Sequence, residues 1–123
     1  MAVPILKQGP FLIASIQSAL TDTDVLQLRD DVMAQVTRHR SRGIVIDVTA
    51  LDVIDSFVAR SLREIALTAR LRGAETVIVG IQPEVAFAMV QLGMSFEDVQ
   101  TALDLEEGLA LLQTRKEPGD GGP

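Results

Sequence analysis

The sequence predicts a small α/β fold: a mainly parallel sheet of four to five strands, an N-terminal antiparallel hairpin and about four helices. Three observations carry this expectation. The apolar residues are chiefly Val, Ile, Leu and Ala, with four Phe and neither Trp nor Tyr, which suits buried parallel strands under covering helices. IVIDV at 44–48 and TVIVGI at 76–81 are near-continuous runs rich in β-branched residues, the pattern of strands covered on both faces. Around them the apolar spacing switches to the helical period, so strand and helix alternate. That alternation requires right-handed crossovers and parallel neighbours.

The elements follow in order. VPILKQGPFLIASIQ (3–17) holds two apolar runs, Val3 to Leu6 and Phe11 to Ile16, punctuated by Gly9 and Pro10; this predicts a hairpin with its prolines at strand margins. In TDTDVLQLRDDVMAQVTRHR (21–40), Val25, Leu28, Val32 and Val36 form one helical stripe flanked by Leu26 and Met33. Thr21 and Asp24 have the spacing of a capping box, Arg38, Arg40 and Arg42 gather at the far end, and Gly43 is expected to end the segment. After the strand at 44–48 comes a loop, 49–54. A second helix follows, with Val58, Leu62, Ile65 and Ala69 facing inward and Gly73 closing it. Pro83 opens a third helix that Gly93 ends. A short extended piece around Phe96 to Val99 is expected to add an edge strand. The last helix, DLEEGLALLQ, has Asp104 as its cap, Glu107 three residues on, and Leu105, Leu109 and Leu112 on its inner face. The domain is expected to span 1–115. KEPGDGGP (116–123), rich in Gly and Pro, is expected to be a disordered tail. No internal repeat is visible.

Composition narrows the function. A chain of 123 residues fits one domain with a real core. A net charge of -6 argues against nucleic acid and against an anionic membrane surface. Cysteine is absent, which removes disulfides and thiolate chemistry and disfavours a structural zinc site. No apolar stretch reaches membrane-spanning length and the first residues lack a signal-peptide pattern, so a soluble, cytoplasmic protein is expected. Neither G-x-G-x-x-G nor G-x-x-x-x-G-K-[ST] occurs, so both common phosphate loops are missing. His39, the only histidine, sits among arginines at a helix end. It is read as a solvated residue stabilising that terminus, at the far end of the sheet from Ser56, which a triad would need beside it. A magnesium-dependent phosphoacceptor site is disfavoured too. The lysines are only Lys7 and Lys116, and Asp47 lacks a neighbouring acidic pair. The chain is read as a non-enzyme with no cofactor and no metal.

The short stretch DVIDSF (52–57) remains. Asp55 is placed to cap the second helix and Ser56 to be its first residue. An Asp-Ser pair at a helix start can be a cap and nothing more. It can also be a switch, because a helix N-terminus accommodates added negative charge. Phosphorylation of Ser56 would add about -1.5 to -2 at neutral pH without unfolding the helix. Asp52 and Asp55 would sharpen that negative patch, and a partner docked over the corner would meet repulsion.

The stretch IVIDVTALDVIDSFVARSL resembles the signature of STAS domains, the sulfate-transporter and anti-sigma-factor-antagonist family: a strand ending in Asp, a short loop, then Asp-Ser opening a helix. TVIVGIQPEVAFAMVQLG and TALDLEEGLALL match the family in order and spacing, so the resemblance covers residues 3–113. PIL, SIQ, VIDVTALDVIDSF, GIQPEVA and ALDLEEGL are points of likeness to the family's single-domain stressosome scaffolds. Free anti-sigma-factor antagonists show a small hydroxyl residue and glycine after Asp-Ser; here Phe57 and Val58 follow, which departs from that type. The resemblance implies that Ser56 is the phosphorylated serine and Asp55 its neighbouring acid. Asp52, Thr49 and Phe57 complete the switch loop, Thr49 at a position phosphorylatable in some paralogues. It further implies a serine/threonine kinase of the RsbT type as partner, a sensor-bearing paralogue of the RsbR type, a resetting phosphatase and a large homo- or hetero-oligomer. A free antagonist binding an anti-sigma kinase one-to-one, or a weak nucleotide-binding STAS domain, are the alternatives.

Overall fold

The computed structural model describes residues 3–93 and 99–114. Ile5–Gln8 (β1) and Phe11–Ser15 (β2) pair antiparallel across a turn at Gly9 and Pro10. Gly43–Asp47 (β3), Glu75–Val79 (β4) and Gln100–Ala102 (β5) then add in parallel, giving one five-stranded sheet in the order β1-β2-β3-β4-β5. The connections are the helices Asp22–His39 (α1), Ser56–Leu71 (α2) and Pro83–Gln91 (α3), and Leu105–Thr114 (α4) ends the described chain. The predicted class, strand count and helix count are all observed.

Two apolar cores explain the layering. On one face, Leu12, Ala14, Ile44, Ile46 and Ile78 of the sheet pack under Leu28, Val32 and Val36 of α1, Leu62, Ile65 and Ala69 of α2, and Val85 and Met89 of α3. On the other, Phe11, Ile13, Val45, Val77 and Val79 meet Leu112, with Leu105 and Leu109 partly buried against them. The alternation along each strand divides the β-branched runs between both faces. Each fully buried Val, Leu or Ile contributes about 1.5–3 kcal/mol, and the central strands β2, β3 and β4 share that burial with the inner faces of the helices. β1 is an edge, with Leu6 exposed.

Capping follows the sequence closely. Thr21 Oγ1 accepts from the Asp24 N–H and Asp24 Oδ2 from the Thr21 N–H, both at 3.1 Å, a reciprocal capping box on α1. Asp104 Oδ1 accepts from the Glu107 N–H at 2.9 Å at the start of α4. Two expectations are corrected. Gly43 does not end α1. The helix stops at His39, and Arg40 takes the left-handed conformation (φ 49°) with its N–H returned to the Val36 carbonyl. Gly43 is instead the first residue of β3, where a Cβ would lie 2.9 Å from Leu112 and 3.0 Å from Phe11. Its glycine serves close packing, not helix termination. The edge strand also lies further along than expected. It is Gln100–Ala102, while Val99 is buried outside it and residues 96–98 fall outside the described residues, as do 115–123.

Candidate functional site

In a parallel α/β sheet the loops after the strand C-termini collect functional groups. Here the β3–α2 loop, residues 48–55, lies at that end. Val48 (0% exposed) and Leu51 (2%) anchor it in the core. The Val48 N–H donates to the Val79 carbonyl at 3.0 Å, and the Leu51 N–H to the Val48 carbonyl at 2.9 Å. Thr49 and Ala50, between these anchors, are exposed.

The first half of the loop is a clamp. Asp47, the last residue of β3, accepts on one oxygen (Oδ1) from the Thr49 N–H at 2.9 Å and the Thr49 hydroxyl at 2.6 Å. Short polar side chains commonly hold turns this way. From the N-cap of α3, beyond the neighbouring strand β4, the Gln82 amide donates to the Thr49 carbonyl at 2.6 Å. Gly80 (φ 77°) closes the other side: a Cβ there would collide with the Thr49 side chain. Only glycine takes that backbone conformation without strain and leaves that room. The clamp was not singled out from sequence. Its signal was present in an Asp ending a buried strand two residues before Thr, and in a Gly directly after the next strand.

The second half holds the Asp-Ser pair. Asp55 is the N-cap of α2, with extended backbone (φ -103°, ψ 173°) and Oδ1 accepting from the Val58 N–H at 2.8 Å. Ser56 is the first helical residue and is exposed, Phe57 after it is half-buried, and Asp52 and Asp55 are exposed. α2 has no acidic residue in its first turn, so its amide end has no helical carboxylate to complement it. The structure thus gathers Asp52, Asp55, Ser56 and Phe57 at one corner. It sets Thr49 apart at the loop's other end, against Gln82 and Gly80. Beside the corner lies a hollow of about 220 Å³, walled by Leu20, Leu51, Val53, Ile54 and Val58 with Asp55 at the rim.

His39 is half-buried at the last turn of α1, at the end of the sheet where β3 begins, whereas Ser56 follows the end where β3 finishes. No cluster of three His, Cys, Asp or Glu side chains fit to hold a metal occurs among the described residues. Among them, too, no helix is long and apolar enough to cross a membrane.

A five-stranded sheet with this hairpin, and a capped Asp-Ser start to α2, define a class. The STAS domain family model matches residues 2–108, and the chain belongs to that family. Within it, the chain is similar to RsbS. A serine-to-glutamate variant of Moorella thermoacetica RsbS superimposes with a TM-score of 0.82 at 37% identity, covering 91% of this chain and 95% of that one. A chain from the structure described as the molecular architecture of the stressosome, a signal integration and transduction hub, gives 0.77 at 36% identity over 90% of this chain and 96% of that one. The RsbT co-antagonist protein RsbRA of Bacillus subtilis (strain 168) is 32% identical over 83 residues, 68% of this chain and 30% of that protein. RsbRD of the same organism is 31% identical over 66% of this chain and 29% of its own length. The chain therefore spans less than a third of these two RsbR relatives. The likeness supports a stressosome role of the anti-sigma-factor-antagonist type.

Proposed function

We propose that the chain is a phospho-regulated scaffold of a stressosome-type complex in the cytoplasm. It holds a serine/threonine kinase of the RsbT type over the corner formed by Asp52, Asp55 and Ser56, and releases it when Ser56 is phosphorylated. It does no chemistry itself. A sensor-bearing paralogue of the RsbR type assembles with it, and a phosphatase restores the serine.

One observation carries this reading: the exposed Ser56 stands at the first position of a helix that an Asp55 carboxylate already caps. A phosphate there faces amide N–H groups and the positive end of the helix dipole, which favour it. The same phosphate lies beside Asp52 and Asp55, so the corner gains charge while the fold remains. A partner whose contacts need a neutral hydroxyl then meets an anion. That an RsbS variant keeps this fold with glutamate in place of one serine agrees with a scaffold that tolerates such charge.

The test is a pull-down with an RsbT-type kinase and ATP. Ser56→Ala should bind the kinase as the unaltered chain does and fail to release it. Ser56→Asp should bind at least tenfold more weakly. Release from Ser56→Ala at the normal rate would refute the switch.

A further inference from the structure

We propose that the chain associates with itself head to tail along α2, the Leu71 side chain of one copy seating in the hollow beside Ser56 of the next. This contact stands whether or not Ser56 is phosphorylated.

The two ends of α2 are complementary in shape. At its end, Leu71 is 87% exposed, which leaves a large apolar side chain in water. At its start, the hollow of about 220 Å³ has walls of Leu20, Leu51, Ile54 and Val58, with Val53, itself 64% exposed, at its mouth. A leucine side chain is the kind of group such a hollow accepts.

They are also complementary in charge. Leu71 lies between Arg70 and Arg72, both exposed. Arg70 lies 4.0 Å from Glu75, and Arg72 donates to the Thr37 hydroxyl at 2.8 Å, so both guanidinium groups are held near the helix end. Asp55 at the hollow is exposed, and so is Asp52, which stands in the chain between the lining residues Leu51 and Val53. The pattern cation–apolar–cation at one end thus meets anion–apolar–anion at the other. Stacking them places the C-terminal end of one α2 against the N-terminal end of the next, so the helix dipoles align favourably.

The ends cannot meet within one copy. Sixteen residues of helix set them about 24 Å apart. The contact is therefore heterologous: every dimer keeps one unused knob and one unused hollow, and growth continues until a ring closes or a filament forms. A second copy seated in the hollow covers the corner proposed for the kinase, so the two occupants exclude each other.

Sedimentation velocity over a concentration series tests this with two variants. One is Leu71→Asp, which removes the knob. The other is Asp52→Lys with Val53→Lys, which inverts the rim and leaves the Asp55 cap in place. The unaltered chain should form salt-sensitive species that grow beyond dimers, and each variant alone should associate at least tenfold more weakly. Mixed in equal amounts they should associate again but stop at dimers, because each retains one intact end. Circular dichroism verifies folding, and Leu71→Ser replaces Leu71→Asp should the latter unfold. An unaltered chain that stays monomeric at millimolar concentration would overturn the proposal. So would association that survives both variants, or a mixture of folded variants that stays monomeric.

Discussion

Thr49 and Ser56 stand at the two ends of the β3–α2 loop, both exposed, both bearing a hydroxyl, and the structure treats them differently. The Thr49 hydroxyl donates to Asp47, its carbonyl accepts from Gln82, and its side chain fills the space that Gly80 leaves open. Ser56 begins a helix whose cap is supplied by its neighbour Asp55. One hydroxyl is part of the loop's framework, while the other stands where a new anion meets unsatisfied amides. A site for reversible modification needs that second condition, because the fold must survive both states.

The largest expected effect tests the clamp. Gly80→Ala puts a Cβ into the Thr49 side chain at a positive-φ position, which should lower stability by about 2–4 kcal/mol, read as a lower urea midpoint. The comparison sharpens when both hydroxyls receive the same charge. Thr49→Glu removes the hydroxyl bond to Asp47 and sets two carboxylates together, destabilising by about 1–2 kcal/mol. Ser56→Glu should instead stabilise by about 0.3–1 kcal/mol through the helix dipole, and melting curves give the two signs. Equal losses at both positions would mean that the fold does not distinguish the two hydroxyls. Asp55→Ala removes the cap and should cost about 1 kcal/mol. Ser56→Glu should still stabilise in that background, since the amide end of α2 remains. Ser56→Ala, touching neither clamp nor cap, should stay within about 0.5 kcal/mol of the unaltered chain.

Much of this was legible in the sequence because it is local. Thr21 with Asp24, Asp55 before Ser56, Pro83 and Asp104 all act within one helical turn, and each helix start lies where its residues predict. The stripes Val25, Leu28, Val32, Val36 and Val58, Leu62, Ile65, Ala69 are buried as their spacing requires. What escaped was set by distant partners. Gly43 reads as a helix stop until Leu112 and Phe11 are brought against it. Arg40 takes a conformation that glycine usually takes, which its residue type does not announce. The restraint on Thr49 depends on Gly80 and Gln82, a whole strand and helix away. The Asp-Ser corner was legible as a geometry, but the hollow beside it was not, since Leu20 and Val58 reach it from opposite sides of β3 in the chain.

The proposed switch depends on which hydroxyl is modified. Phosphosite mapping by mass spectrometry, after incubation of the chain with an RsbT-type kinase and ATP, asks this directly. The account predicts phosphate on Ser56 with Thr49 unmodified. Phosphate on Thr49 or elsewhere, with Ser56 left bare, would contradict it.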